Sequence, residues 1–328
     1  MDRAEIAAMF GSKIILKKFH WLSYHFSSYM DGYEHFLAAS IINCCENIEK
    51  IIPGFSKDFS DKLASFSDKE KYLPHYEQLI QALAELLVIN HLCTKFPQQA
   101  RFEIEPTSGM SAKNPEIGIS YEGKKLYVEV KCREFITHHN NRGSAAIEIP
   151  TRMSGIREVA NELVREGESI VYPRDNVVKD FLISANDKFS SFKEEDKECI
   201  TVLVVVWDDF TYEPISSLLN LETGLLTERS FYKGGSGDPV RFENIDAIVL
   251  VRQSHQIVRA TRDELPTDGL KHPLDWGDKI DVLPKAVIPV NLLGGEAIGY
   301  LCDLFDAYHI DDLSHLADFR PQEMVLHV

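Results

Sequence analysis

Residues 114–131 read NPEIGISYEGKKLYVEVK and predict a β-hairpin. Two runs of alternating apolar and polar residues flank Glu122-Gly123, and a two-residue connection that ends in glycine suits a tight turn. With Tyr121 facing Lys124 across this turn, the register of the whole hairpin is set. Because side chains alternate between the two sides of a strand, one face of the hairpin is apolar and belongs in a core.

The other face of the hairpin carries charges that need an explanation. The predicted register places Glu116 opposite Glu129, and Lys131 lies on the same face, two residues beyond Glu129. Like charges directly opposite each other destabilise a sheet. A bound cation would remove this conflict, and carboxylate oxygens, joined by the backbone carbonyl of Val130, favour Mg²⁺ or Mn²⁺ over zinc.

The segments around the hairpin predict an α/β fold. A helix is expected from Pro74 to about residue 95, because apolar residues recur at helical spacing and proline suits a first turn. The run CITVLVVVW (199–207) is typical of a strand buried on both faces, and IDAIVLV (245–251) predicts another strand. The order of helix, three strands, two helices and two strands indicates a mixed sheet flanked by helices.

In this setting, Pro115-Glu116 followed after a turn by Glu129-Val130-Lys131 resembles the signature of the PD-(D/E)XK nuclease superfamily, which includes restriction endonucleases and DNA-repair nucleases. The resemblance covers roughly residues 74–252 and implies a restriction-endonuclease-like fold. The first acidic position of that family is usually Asp, and Glu116 is one methylene longer.

The resemblance also implies roles for individual residues. Glu116 and Glu129 would bind the divalent metal, and Lys131 would assist the nucleophilic water. A glutamate of the preceding helix often joins the site in this family, and Glu85 is the better match by position, with Glu77 as the alternative.

Other polar residues carry weaker signals. Asp208-Asp209 is interpreted as a strand-end turn and His138-His139 as a solvated loop pair. Lys188 and Lys193, on or just after the helix before the buried strand, could face either a phosphate backbone or water.

Composition sets the expected organisation and environment. We expect a helical N-terminal extension (1–72), a nuclease-like core (73–260) and an acidic C-terminal extension (261–328), which carries half of the formal net charge of −16. Such an acidic chain is not expected to coat nucleic acid through a broadly basic surface. The absence of a long apolar run or a secretory signal predicts a cytoplasmic (intracellular) protein without a membrane partner, and the six cysteines are expected to be buried free thiols.

The function expected from these features is metal-dependent cleavage of phosphodiester bonds, with DNA as the main candidate substrate and Mg²⁺ or Mn²⁺ as the cofactor. Two alternatives stay open: a protein that binds nucleic acid or acts as a scaffold on the same fold without cutting, and a nuclease directed at RNA. A homodimer is possible, and the sequence does not decide the oligomeric state.

Overall fold

The computed structural model describes residues 1–17, 19–33, 35–66, 72–109, 113–132, 146–150, 152, 155–279, 284–292, 294–322 and 325–327. Within these residues there are ten α-helices and ten β-strands. None of the described helices combines the length and apolarity needed to cross a membrane.

Seven of the ten strands form one mixed sheet. In chain order the strands are β1 (Arg101–Ile104), β2 (Ile117–Tyr121), β3 (Lys124–Lys131), β4 (Ala146–Glu148), β5 (Ile170–Val171), β6 (Ile200–Trp207), β7 (Ala247–Arg252), β8 (Lys285–Pro289), β9 (Ala307–His309) and β10 (Val325–His327). The large sheet has the order β1-β2-β3-β6-β7-β8-β9, and β4, β5 and β10 form a small second sheet. At the centre of the large sheet, β3, β6 and β7 run parallel.

Helices cover both faces of the large sheet. They are α1 (Arg3–Ile15), α2 (Ser23–Met30), α3 (Phe36–Glu49), α4 (Phe55–Ser65), α5 (Leu73–Lys95), α6 (Ile156–Arg165), α7 (Asp175–Glu195), α8 (Tyr212–Leu219), α9 (Ser254–Thr261) and α10 (Gly295–Leu304). The helix and strand order predicted from Pro74 onward is present, with α8 added between β6 and β7 and the short strands β4 and β5 added on either side of α6.

The predicted hairpin and its register are confirmed. β2 pairs antiparallel with β3, and Tyr121 lies opposite Lys124 and Ile117 opposite Val128. Glu122 and Gly123 both have positive φ angles, 50° and 77°, as the tightest two-residue hairpin turns require. The apolar face of the hairpin belongs to the core, as the alternation predicted.

The buried strand β6 separates two halves of the core. Val202, Val204 and Val206 pack on the side of α5, whereas Leu203, Val205 and Trp207 pack on the side of α7. Alternating side chains of one strand thus contact different helical layers, which explains why its sequence is apolar without interruption.

The segments on either side of residues 73–260 are joined to this core. Buried residues of α1 and α3 belong to the same apolar cluster as α5. The central sheet extends beyond residue 260, because β8 pairs antiparallel with β7 and parallel with β9. All six cysteines are buried and unpaired, as predicted.

The pairing of β8 predicts a stability effect far from the hairpin. Val287 is fully buried and lies opposite Val249 of β7. We expect Val287→Ala to lower the free energy of unfolding by about 2 kcal/mol, because two methyl groups leave the core and a cavity remains. Urea denaturation would measure the loss. Val159→Ala on the exposed face of α6 is the control, and an equally small effect of both changes would show that β8 does not support the core.

Candidate active site

The candidate site lies where β2 and β3 separate. Pairing of β3 with β2 ends at Val128, opposite Ile117, whereas pairing with β6 continues to Lys131. Residues 129–131 therefore have β6 on one side and lack a paired residue of β2 on the other. Glu116 lies just before β2, and its carbonyl oxygen accepts a hydrogen bond of 3.0 Å from the backbone N–H of Glu105.

A cavity of about 290 Å³ opens at this separation. The helix α5 contributes one wall, the hairpin contributes the floor, and α7 contributes the opposite wall. The lining residues are Gln81, Glu85, Glu116, Val130, Lys131, Cys132, Asp180, Phe181 and Ser184. Four residues predicted for the site, Glu85, Glu116, Val130 and Lys131, thus meet at one cavity, and the fifth, Glu129, is fully buried in β3 between Val130 and Val128.

Two lysines surround the Glu129 carboxylate. Its Oε1 lies 2.7 Å from Nζ of Lys131 and 2.7 Å from Nζ of Lys188, and its Oε2 accepts a hydrogen bond of 2.8 Å from Lys188. Despite these short distances, Oε1 has no well-directed hydrogen bond within the described residues. The two ammonium groups thus balance the charge of this carboxylate, and at Oε1 they do so by proximity and not by a directed hydrogen bond.

Glu85 reaches the site from α5 and is tied to the N-terminal helices. Its carboxylate forms an ion pair with Lys62 of α4. Burial raises the pKa of Glu85, Lys62 opposes this shift, and the nearby charges of Glu129 and Glu105 add to it. The alternative residue Glu77 is buried on the same helix but lies about 12 Å away along the helix axis and does not line the cavity.

Glu116 is destabilised as an anion. Burial, and then the charges of Glu85 and Glu129, raise its pKa from 4.5 to about 7, although Lys188 opposes this. The repulsion between Glu116 and Glu129 that the register predicted is therefore present. Any added cation between the two carboxylates would favour the ionised form of Glu116.

Lysines nearly neutralise the carboxylates of the site. The three cations nearest to Glu85, Glu116 and Glu129 are Lys62, Lys131 and Lys188. The sequence left the environment of Lys188 open between phosphate and water, and in the structure it contacts carboxylates.

Several other polar residues belong to the scaffold. Lys193 pairs with Asp246 at 2.6 Å. Asp208 forms an ion pair with buried Arg174, and Asp209 forms one with Arg252, so both aspartates already have a cationic partner. His138-His139 lies outside the described residues.

Cys132 lines the cavity but is poorly suited to nucleophilic chemistry. Its side chain is buried, and burial raises the pKa of the thiol well above its usual value. Because the thiolate is the reactive form, a neutral thiol here serves packing.

The donor set fits magnesium better than a metal that demands several protein ligands. Among the described residues, no group of three or more His, Cys, Asp or Glu side chains that could hold a metal ion is found. Mg²⁺ usually keeps several waters and needs only one or two carboxylates plus substrate phosphates. Glu116, which lines the cavity, and the fully buried Glu129 supply the two carboxylates of that smaller requirement.

A second cavity of about 450 Å³ continues from the site toward the N-terminal helices. It shares Glu85 and Glu116 with the first cavity, and Phe55, Phe59 and Lys62 of α4 form part of its wall. The N-terminal helices thus shape the space beside the carboxylates.

Comparison with known proteins does not identify this chain: no protein-family model matches it, and no curated protein or solved structure is significantly similar. The likeness to PD-(D/E)XK nucleases is therefore carried by the hairpin residues and their setting. It stays a prediction.

The raised pKa of Glu116 predicts an effect on stability. Because the folded state binds this proton more tightly than the unfolded state, the wild type should lose stability as pH rises from 4.5 to about 7. Glu116→Gln removes this titration. In EDTA at pH 8, the variant should be more stable than the wild type by about 1–3 kcal/mol, and the gain should shrink toward pH 4.5.

Urea unfolding at several pH values would measure this difference. Glu103→Gln, at an exposed carboxylate of β1, is the matched control and should leave the pH profile unchanged. A Glu116→Gln protein that is less stable than the wild type at pH 8 would mean that Glu116 supports the fold as an anion.

Proposed function

We propose that this protein is a nuclease that uses Mg²⁺ or Mn²⁺ to hydrolyse phosphodiester bonds, with DNA as its substrate. The observation that carries the proposal is the meeting of Glu116, Lys131 and Glu85 at one cavity, above the buried Glu129, in the chain order of the PD-(D/E)XK signature. The mixed sheet with helices on both faces is consistent with this reading.

Glu116 and Glu129 would hold the metal ion, with the backbone carbonyl of Val130 as a further oxygen donor, and Glu85 would take part through a water molecule bound to the ion. When bound, such an ion polarises a phosphate and lowers the pKa of its water. Residues 129–131 lack β2 pairing, so the backbone groups on that side of β3 have no partner strand and could take part in binding the ion.

Lys131 would act on the reacting groups. Its ammonium group lies 2.7 Å from Glu129, and the side chain lines the cavity. From there it would orient the attacking water or stabilise negative charge on the phosphate, as preorganised cations do at sites of developing charge. Its contact with Glu129 holds it at the metal-binding carboxylate.

Binding of nucleic acid would be local, because the chain has a net charge of −16. An open cavity of about 410 Å³ adjoins the first cavity and is lined by Lys113 and Lys188, among other residues. These lysines and the metal ion would supply positive charge for the phosphate backbone. The same residues could hydrolyse RNA, so the cleavage assay compares DNA with RNA.

One observation favours a second candidate, a protein on this core that does not cut. The carboxylates of the site already have lysine partners, so the cluster is compensated without a metal. In that case the same residues form a buried ion-pair network.

The central prediction concerns Lys131. The wild type should cleave nucleic acid in Mg²⁺ or Mn²⁺ and not in EDTA, and Lys131→Ala should lower the rate by about 10²-fold or more, the cost of removing one donor at a developing charge. Binding should change only a few-fold. Gel assays with single- and double-stranded DNA and RNA would measure the rates, and fluorescence anisotropy in EDTA would measure binding.

Lys125→Ala is the matched control, because Lys125 lies on the same strand but pairs with Asp196, away from the cavity. It should cleave at the wild-type rate. Equal cleavage in EDTA would reject the metal mechanism, and a wild type that binds but never cuts would favour the second candidate.

A further prediction separates the two glutamates of α5. Glu85→Gln should reduce cleavage much more than Glu77→Gln, because only Glu85 lines the cavity. Initial rates at saturating Mg²⁺ would be compared for the two variants, after melting curves show that both are folded. Equal rates would remove α5 from the site.

A further inference from the structure

The ammonium group of Lys188 lies between the two carboxylates of the hairpin. Its Nζ is 2.7 Å from Oε1 and 2.8 Å from Oε2 of Glu129, and it is 3.6 Å from Oε1 of Glu116. The described contacts of Lys131 with these carboxylates involve Glu129 only. Lys188 thus bridges the pair in the way that a bound cation would.

We infer that the ammonium group of Lys188 balances the charge of the two carboxylates when no metal ion is bound. A metal ion that binds there displaces it. This inference rests on the proposed function, since it assumes that Glu116 and Glu129 are the metal ligands. It assigns a role to a residue of α7 outside the hairpin signature.

Displacement follows from competition for the same oxygens. A magnesium ion lies about 2.0–2.1 Å from its oxygen ligands, and Lys188 contacts both oxygens of Glu129. Lys131 contacts Oε1 alone, whereas Lys188 contacts both oxygens and also lies beside Glu116. A divalent ion bound between the two glutamates would therefore repel the Lys188 ammonium group and take the lone pairs that it contacts. The flexible four-carbon stem of lysine allows its head group to leave.

The structure provides a place for the displaced group. Lys188 also lines the open cavity of about 410 Å³ on the α7 side, and this cavity shares Asp180 and Ser184 with the cavity of the site. Asp180 and Asp187 would meet the ammonium group there. A nucleic-acid phosphate would be a stronger partner, so metal and nucleic acid should each tighten the binding of the other.

The first test measures release of Lys188 directly in the wild-type protein. Acetylation of lysines by an activated ester, followed by mass spectrometry, should show several-fold faster labelling of Lys188 in saturating Mg²⁺ than in EDTA. Lys125, whose partner is Asp196, should be labelled at the same rate in both conditions. Unchanged labelling of Lys188 in a protein that binds Mg²⁺ would overturn the inference.

The second test measures metal affinity without any cleavage. Lys188→Met keeps an unbranched side chain, one atom shorter, and removes the competing charge. Mn²⁺ should therefore bind this variant about tenfold more tightly than the wild type, which corresponds to about 1.4 kcal/mol. Calorimetric titration would give both dissociation constants. Lys125→Met is the control, since Lys125 pairs with Asp196 and lines neither cavity, and it should bind Mn²⁺ like the wild type.

The outcomes separate this inference from the proposed function. If the wild type cleaves with metal but Lys188→Met binds Mn²⁺ no more tightly and Lys188 labelling does not respond, the inference is wrong and the nuclease stands. If the wild type binds no Mn²⁺ while Lys188→Met does, Lys188 is the competitor. If neither protein binds Mn²⁺ or cuts nucleic acid, the proposed function and the inference fail together.

Discussion

The arrangement of the site depends on the electrostatic repulsion between the carboxylates of Glu116 and Glu129. Glu116 directly precedes β2 and lies close enough to Glu129 for the two charges to repel, and burial adds to the cost of ionising Glu116. The apolar side of the same strands is embedded in the core, so neither strand can slip by one residue without exposing that face. The carboxylates are therefore held together by hydrophobic packing on the opposite side of the sheet.

Cations from three separate parts of the chain balance this cost. Lys131 comes from the hairpin itself, Lys62 from the N-terminal helices and Lys188 from α7. The contacts of Lys62 and Lys188 each join a helical layer to the site, so the position of these helices and the charge state of the carboxylates depend on each other. The metal ion of the proposed function would take the place of one of these cations at the carboxylates.

The N-terminal helices also shape the surroundings of the carboxylates. Phe55 and Phe59 of α4 wall a cavity that continues from Glu85 and Glu116. A substrate phosphate at the carboxylates would bring neighbouring groups of the nucleic acid close to this wall. The N-terminal segment, residues 1–72, thus contributes side chains next to the proposed active site. The C-terminal segment, residues 261–328, contributes β8 and β9 to the large sheet.

Local sequence determined the hairpin, its register, the doubly buried strand and the convergence of Glu116, Glu129 and Lys131, because strand alternation and a two-residue turn act over a few residues. The position of Glu85 followed from the resemblance and not from the pattern itself. Only the tertiary structure decided which cations complete the site: Lys188 lies 59 residues from Glu129, and Lys62 lies 23 residues from Glu85. No sequence periodicity links residues so far apart. Their contacts form only when whole helices pack against the sheet and bring the lysine side chains next to the buried carboxylates.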